Sequence, residues 1–251
     1  MAAPPSPPLS YGVLLYPGFE VLDVAGPLEC LNTLADCLPS SKLTLSIIGR
    51  PIATDRRVPM PLSPANPNEG PPASQPSNSF TFKASQVYLP THTFDTAPPL
   101  DVLILGGGLG SLPTDQVQPE MDFLQSVFPS LKYLFTVCTG SGIAARAGLL
   151  DGLRATSNKA VWKQVVACGP KTHWVARARW VVDGNMKVWT TSGVSAGVDG
   201  MVSFLRHVYP EEEHPGLVQK VVDYMEYRHE PDPSNDPFAD VFGAHDVLPK
   251  A

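Results

Sequence analysis

Residues 131–147 read LKYLFTVCTGSGIAARA, and the change of character inside this stretch decides the fold. Up to Val137 the residues are largely apolar without alternation, the pattern of a strand covered on both faces in a parallel sheet. From Gly140 the residues are small and then helix-forming. A strand therefore hands over to a helix at Cys138, with Gly140 and Gly142 allowing a tight turn and close packing.

Working outward, the same alternation recurs. DVLILGGGLG (101–110) is a second unbroken apolar run, ending in glycines, and YGVLLYP (11–17) is a shorter one that stops at Pro17-Gly18. FEVLDVAGPLECLNTLADCL (19–38) has helical periodicity, with an interruption expected near Gly26-Pro27, and LTLSIIG (43–49) returns to strand. Asp115 to Phe128 carries apolar residues at helical spacing (Val117, Met121, Leu124, Val127). WVARARWVVDGNMKVWTTSG (174–193) predicts a hairpin turning at Asp183-Gly184-Asn185, and residues 194–209 and 217–228 predict two further helices. Between Asp55 and Ser79 the composition shifts to Pro, Asn and Ser, with seven prolines from Pro59 to Pro76, which predicts a surface insertion. Short strands are expected around Phe80–Phe82 and Gln86–Leu89. The Pro- and Asp-rich residues 229–251 predict a polar tail lying over the surface or partly disordered. We expect one α/β domain over residues 10–228, built on a doubly wound, mainly parallel sheet with helices on both faces. Ligands of such sheets bind at the carboxyl ends of the strands.

Composition narrows the function. With 24 acidic against 18 basic side chains, a net charge of −6 and no block of Lys or Arg, the footprint of a nucleic-acid partner is missing. No apolar run reaches the roughly 18 residues of a membrane span, and the first residues lack the basic region of a signal peptide, so a cytoplasmic protein is expected. A DNA-binding helix pair is not expected after Tyr209. The six histidines form no i,i+4 pair and the four cysteines no CxxC, so neither a metal nor another cofactor is expected. Cys30, Cys37 and Cys168 read as packed small side chains.

Cys138 differs because of its place. Unpaired amides and the dipole at a helix N-terminus favour an anion, so a lowered thiol pKa is expected there. The amides of Thr139 and Gly140 can hold an oxyanion. GGGLG (106–110) ends the neighbouring strand and can bring a further amide from Gly107 or Gly108; it matches neither dinucleotide nor phosphate-loop spacing.

Four motifs in order, LLYPGFEVLDVAGPLE, DVLILGGG, TVCTGSGIAARAGLLDGLRAT and TSGVSAGVDG, resemble the DJ-1/PfpI superfamily, on the branch of bacterial isonitrile hydratases and related fungal proteins. The resemblance runs from about Tyr11 to Tyr209 outside the insertion. It implies a flavodoxin-like sandwich and a homodimer, with Cys138 as nucleophile at a strained elbow and Asp23 as the acid beside it, Thr139 orienting the site. It also implies a small electrophilic substrate, an isonitrile hydrated to an N-substituted formamide. A carboxyl near a thiolate has a raised pKa and can give and then take a proton. Glu20, three residues before Asp23, is the alternate acid, and Asp199 reads as a structural residue at a helix start.

The chain departs from the resembled pattern after the elbow helix. Where those hydratases carry RATTHW, this chain has Arg154-Ala155-Thr156-Ser157-Asn158-Lys159, with asparagine in the histidine position. A neutral amide is no general base, which weighs against a Cys-His peptidase and against a glyoxalase-like lyase. The alternative of another class is a redox sensor, in which the same cysteine is reversibly oxidised.

Overall fold

The computed structural model describes residues 6–40, 42–51, 88–112 and 116–250. In chain order these form β1 (Ser10–Leu14), α1 (Val21–Cys37), β2 (Thr44–Ile48), β3 (Val102–Leu105), α2 (Gln118–Val127), β4 (Tyr133–Val137) and α3 (Gly140–Arg146). There follow β5 (Arg154–Ala155), α4 (Trp162–Cys168), β6 (His173–Trp174), β7 (Trp180–Asp183), β8 (Val188–Thr191), α5 (Ala196–Val208), α6 (Leu217–Tyr224) and α7 (Phe238–Val241). The main sheet has the order β2-β1-β3-β4-β8-β7. Its first five strands run parallel, and β7 closes one edge antiparallel to β8.

Every residue of β3 and β4 is buried, whereas Thr44 and Leu45 of the edge strand β2 are exposed. The unbroken apolar runs are thus the central strands, covered by helices on both sides. From β1 the chain crosses to β2 in one direction, and from β3 it proceeds to β4 and β8 in the other. Right-handed crossovers therefore put α1 and α2 on opposite faces and open a crevice at the carboxyl ends of β1 and β3, where the winding reverses. On the α5 side, Phe204 is fully buried with its ring 5.1 Å from Tyr133, 5.9 Å from Phe135 and 5.3 Å from Trp189, edge to face in each pair.

Several expectations need correction. Helix α1 is continuous through Gly26-Pro27. Proline removes one amide donor there, but the helix is pressed against α5, with the Val198 side chain directly over Gly26, and that packing sustains it. Helix α2 starts at Gln118, and Tyr88 and Leu89 belong to no strand. The proposed insertion 55–79 and the strand at 80–82 lie outside the described residues. The hairpin turns where the sequence predicts, through left-handed Gly184, Asn185 and Met186, although Trp174 belongs to the separate two-stranded β5-β6 pair.

The residues after His229 cross the surface as their composition predicts, yet they are firmly anchored. Val247 bridges to Trp174, Trp162 Nε1 donates to the His245 carbonyl at 2.9 Å, and Ala176 N–H donates to Asp246 Oδ1 at 2.8 Å. Asp236, Ala239 and Ala244 are buried. A polar composition conceals these anchors because their partners lie far away in sequence.

The aromatic cluster on the sheet makes a direct stability test. Phe204→Ala is expected to lower the unfolding free energy by about 3–5 kcal/mol, the usual cost of emptying a fully buried aromatic site; urea denaturation giving a loss below about 1 kcal/mol would contradict the packing described.

Candidate active site

At the carboxyl end of β4, Cys138 has φ +58°, a left-handed backbone that non-glycine residues rarely hold. The neighbours impose it. Cys138 N–H donates to the Ser192 carbonyl at 3.0 Å and the Thr191 carbonyl at 3.2 Å, while the Cys138 carbonyl accepts from the hydroxyls of Ser157 (2.8 Å) and Ser141 (2.9 Å). Both halves of the turn are thereby tied to β8, to the start of α3 and to the segment after β5. Such a geometry costs about 1–3 kcal/mol and marks functional sites in folds that over-determine it.

Asp23 sits in the first turn of α1 and is fully buried. Its Oδ2 accepts from Gly107 N–H at 2.8 Å. Oδ1 makes no hydrogen bond of ordinary length among the described residues; the Cys138 thiol and the Val194 amide add to Gly107 in favouring the ionised carboxyl. Glu20, one residue before α1, is exposed; its charge bears on Asp23 but is a smaller influence than burial.

The glycine loop after β3 fits between these groups. A Cβ on Gly107 would come within 2.4 Å of Thr139 N and 2.8 Å of Cys138 Cβ, and Gly108 has φ +134°, so neither position accepts a side chain. Their amides already have acceptors: Gly107 holds Asp23, and Gly108 N–H donates to Thr139 Oγ1 at 2.8 Å. Ser111 Oγ lies 2.7 Å from Thr139 Oγ1 and donates to the Gly108 carbonyl. The loop thus positions the acid and Thr139, rather than presenting free oxyanion donors as its sequence suggests. The Thr139 amide instead favours the anionic form of the Cys138 sulfur.

The electrostatics reverse one expectation. The thiol is 5 % exposed, and its pKa is pushed well up, first by burial and then by the Asp23 charge; the Thr139 amide and the Asn158 side chain pull it back. Desolvation outweighs the helix terminus because α3 is only seven residues long and its field falls off within a turn. Asp23 is raised from 3.8 to about 7, chiefly by burial, against the stabilising bonds from Gly107 and Cys138. The resting site is therefore a protonated thiol beside a carboxyl that titrates near neutrality, a pair able to pass one proton between them.

The structure brings together Cys138, Asp23, Thr139, Gly107 and Gly108. It adds three side chains that sequence reasoning did not assign to the site. Tyr16 donates to the Gly106 carbonyl at 3.0 Å and feels the charges of Asp23 and Cys138. Ser157 holds the elbow carbonyl, and Asn158 faces the sulfur across Gly193, where a Cβ would lie 2.4 Å from Asn158 Nδ2. Each lies in or next to one of the quoted motifs, which is the signal that could have found it. Asp199 accepts from Arg179, Tyr227 and Glu230 N–H and ties α5 to the residues that follow α6. Among the described residues no group of three or more His, Cys, Asp or Glu gathers as metal ligands, and all four cysteines are free.

Comparison with known proteins adds the following. The model of the DJ-1/PfpI family matches residues 76–209, more than half the chain. An isonitrile hydratase of Pseudomonas putida is 29% identical over 191 residues, 76% of this chain and 68% of that protein. An HTH-type transcriptional regulator, GbdR of Pseudomonas aeruginosa, is 28% identical over 60% of this chain but only 40% of its own length, so the chain spans about two fifths of it. A crystal structure of a ThiJ/PfpI family protein from Pseudomonas syringae superposes with a TM-score of 0.65 at 25% identity, covering 91% of this chain and 78% of that one. These relatives are bacterial and carry the family, without singling out its fungal members.

The Asp23 shift makes stability depend on pH. With a folded value near 7 against an ordinary 3.8, the folded protein keeps a proton that the unfolded chain releases, so stability is lost as pH rises between roughly 4 and 7, at about 1.4 kcal/mol per unit of displacement. Asp23→Asn is expected to flatten the decline of the urea midpoint between about pH 4 and 7; an unaltered decline would show that the carboxyl titrates normally.

Proposed function

The chain belongs to the DJ-1/PfpI family, and from that premise we propose that it is a cysteine-dependent hydratase of small electrophiles, with isonitriles as the favoured substrate class. The observation that carries the reading is the buried pair of Cys138, on a left-handed elbow, and Asp23, whose carboxyl is shielded from water and influenced by the thiol. The hydratase relative points to the same chemistry.

In this proposal the thiol passes its proton to the Asp23 carboxylate as sulfur bonds to the terminal isonitrile carbon. The carboxylic acid delivers that proton to the same carbon, leaving a thioimidate. Water then adds to this carbon while Asp23 accepts one of its protons and the imine nitrogen receives it. Collapse of the tetrahedral adduct expels the sulfur, which recovers the hydroxyl proton, and releases the N-substituted formamide. One water is consumed and no redox partner is needed. A carboxyl near neutrality suits both halves of the sequence, and the Thr139 amide steadies the departing thiolate.

Two alternatives are less well supported. A redox sensor needs an accessible thiolate, and burial keeps this thiol protonated. A glyoxalase-like lyase lacks the histidine base, since Asn158 stands by the sulfur. The similarity to a transcriptional regulator keeps a regulatory role in play as the competing class. No helix among the described residues is long and apolar enough to cross a membrane. Homodimer formation, a cytoplasmic setting and independence from nucleic acid and cofactors belong to the same proposal.

Hydration of an aryl isonitrile, followed by formamide formation, tests it. Wild type is expected to turn over with kcat/KM falling below about pH 7, where Asp23 is protonated and cannot take the thiol proton, Cys138→Ala to lose at least about 10³-fold, and Asp23→Asn about 10²–10⁴-fold. Full activity in either variant, or none in wild type, would overturn the assignment.

A further inference from the structure

Lys159 is 3 % exposed, almost wholly enclosed in the fold. Its Nζ lies 3.2 Å from the buried Asp236 carboxylate, which comes from the segment after α6. It also donates to Thr156 Oγ1 and the Ser157 carbonyl (2.7 Å each), and lies 3.1 Å from both the Ala178 carbonyl and Ser192 Oγ. A buried charge is retained only where it is paired and hydrogen-bonded, and here its partners are placed with effect. Ser157 is the residue whose hydroxyl holds the Cys138 carbonyl, and Ser192 supplies the carbonyl that takes Cys138 N–H. One ammonium therefore braces both segments that hold the strained elbow.

We propose that Lys159 and Asp236 form a buried clamp that positions Cys138 through Ser157 and Ser192 and keeps a positive charge next to the elbow, making the C-terminal segment a working part of the site. This deepens the hydratase reading and rests on it for its purpose, though not for its test. Lys159 is a positioning residue; it acts through Ser157, Ser192 and its field. Its own pKa is lowered by burial to about 8 and supported by Asp236 and by Cys138, against Arg179. The charged or titratable groups bearing on the sulfur are Asp23 from α1, Tyr16 from the end of β1, and this lysine. Near neutral pH the ammonium is the cation among them that favours the thiolate.

The test is the pH profile of Cys138 alkylation by iodoacetamide, read by peptide mass spectrometry so that the other cysteines do not intrude. It requires no isonitrile, so failure of hydration sinks the hydratase reading alone. Lys159→Met combined with Asp236→Asn removes both charges at similar volume. At about pH 7 the clamp predicts roughly tenfold slower alkylation, one pH unit in the profile, whereas Lys159→Arg, which keeps the charge, stays within about threefold of wild type. If the double variant does not fold, Ser192→Ala strips one lysine contact without exposing a charge and is expected to slow alkylation two- to threefold. A wild-type profile in the folded double variant, or in Ser192→Ala, overturns the proposal.

Discussion

The left-handed backbone of Cys138 is the constraint on which the rest of this site depends. At φ +58° it works against the chain's own preference by about 1–3 kcal/mol, and it persists because four hydrogen bonds from three separate segments converge on its two peptide groups. Those segments are in place only because β4 is central, flanked by β3 and β8. The all-buried strands therefore do more than form a core. They hold one side chain beside Asp23, next to the strands where the winding of the sheet reverses.

Burial then sets the chemistry. The same packing that enforces the elbow takes Cys138 and Asp23 out of water, and desolvation exceeds the pull of a short helix terminus. The result is a proton-holding pair in place of a ready thiolate. Such a pair favours a reaction in which a proton must be delivered and recovered, and disfavours direct oxidation of the sulfur. The glycine loop after β3 contributes by orientation: its amides are committed to Asp23 and Thr139, which fixes the acid and the turn relative to one another.

The fold was legible because its signals are periodic. Largely apolar runs without alternation at 102–105 and 133–137, each followed by glycine, specify parallel strands whatever lies between them, and the DG turn specifies the hairpin. The site was legible where chemistry coincides with such a boundary, as at Cys138, or with a quoted motif, as at Asp23. It was not legible where a role depends on three-dimensional closure. Nothing in the local sequence shows that Lys159 is buried, that Asp236 reaches back to it across the chain, or that Asn158 faces the sulfur. Nor does periodicity reveal that Pro27 is carried within a continuous helix, because the packing that sustains it comes from α5, far away in sequence. The sign of the thiol shift was missed for the same reason: a helix N-terminus is visible in a sequence, and the depth of burial around it is not.

In the proposed hydration the Cys138 sulfur must bond to the substrate carbon. Rapid quenching of the protein with excess aryl isonitrile during turnover, followed by peptide mass spectrometry, measures this directly. The expected result is a peptide containing Cys138 heavier by the mass of one isonitrile, absent in Cys138→Ser. Formamide production without any adduct on that peptide, or an adduct carried by another residue, would contradict it.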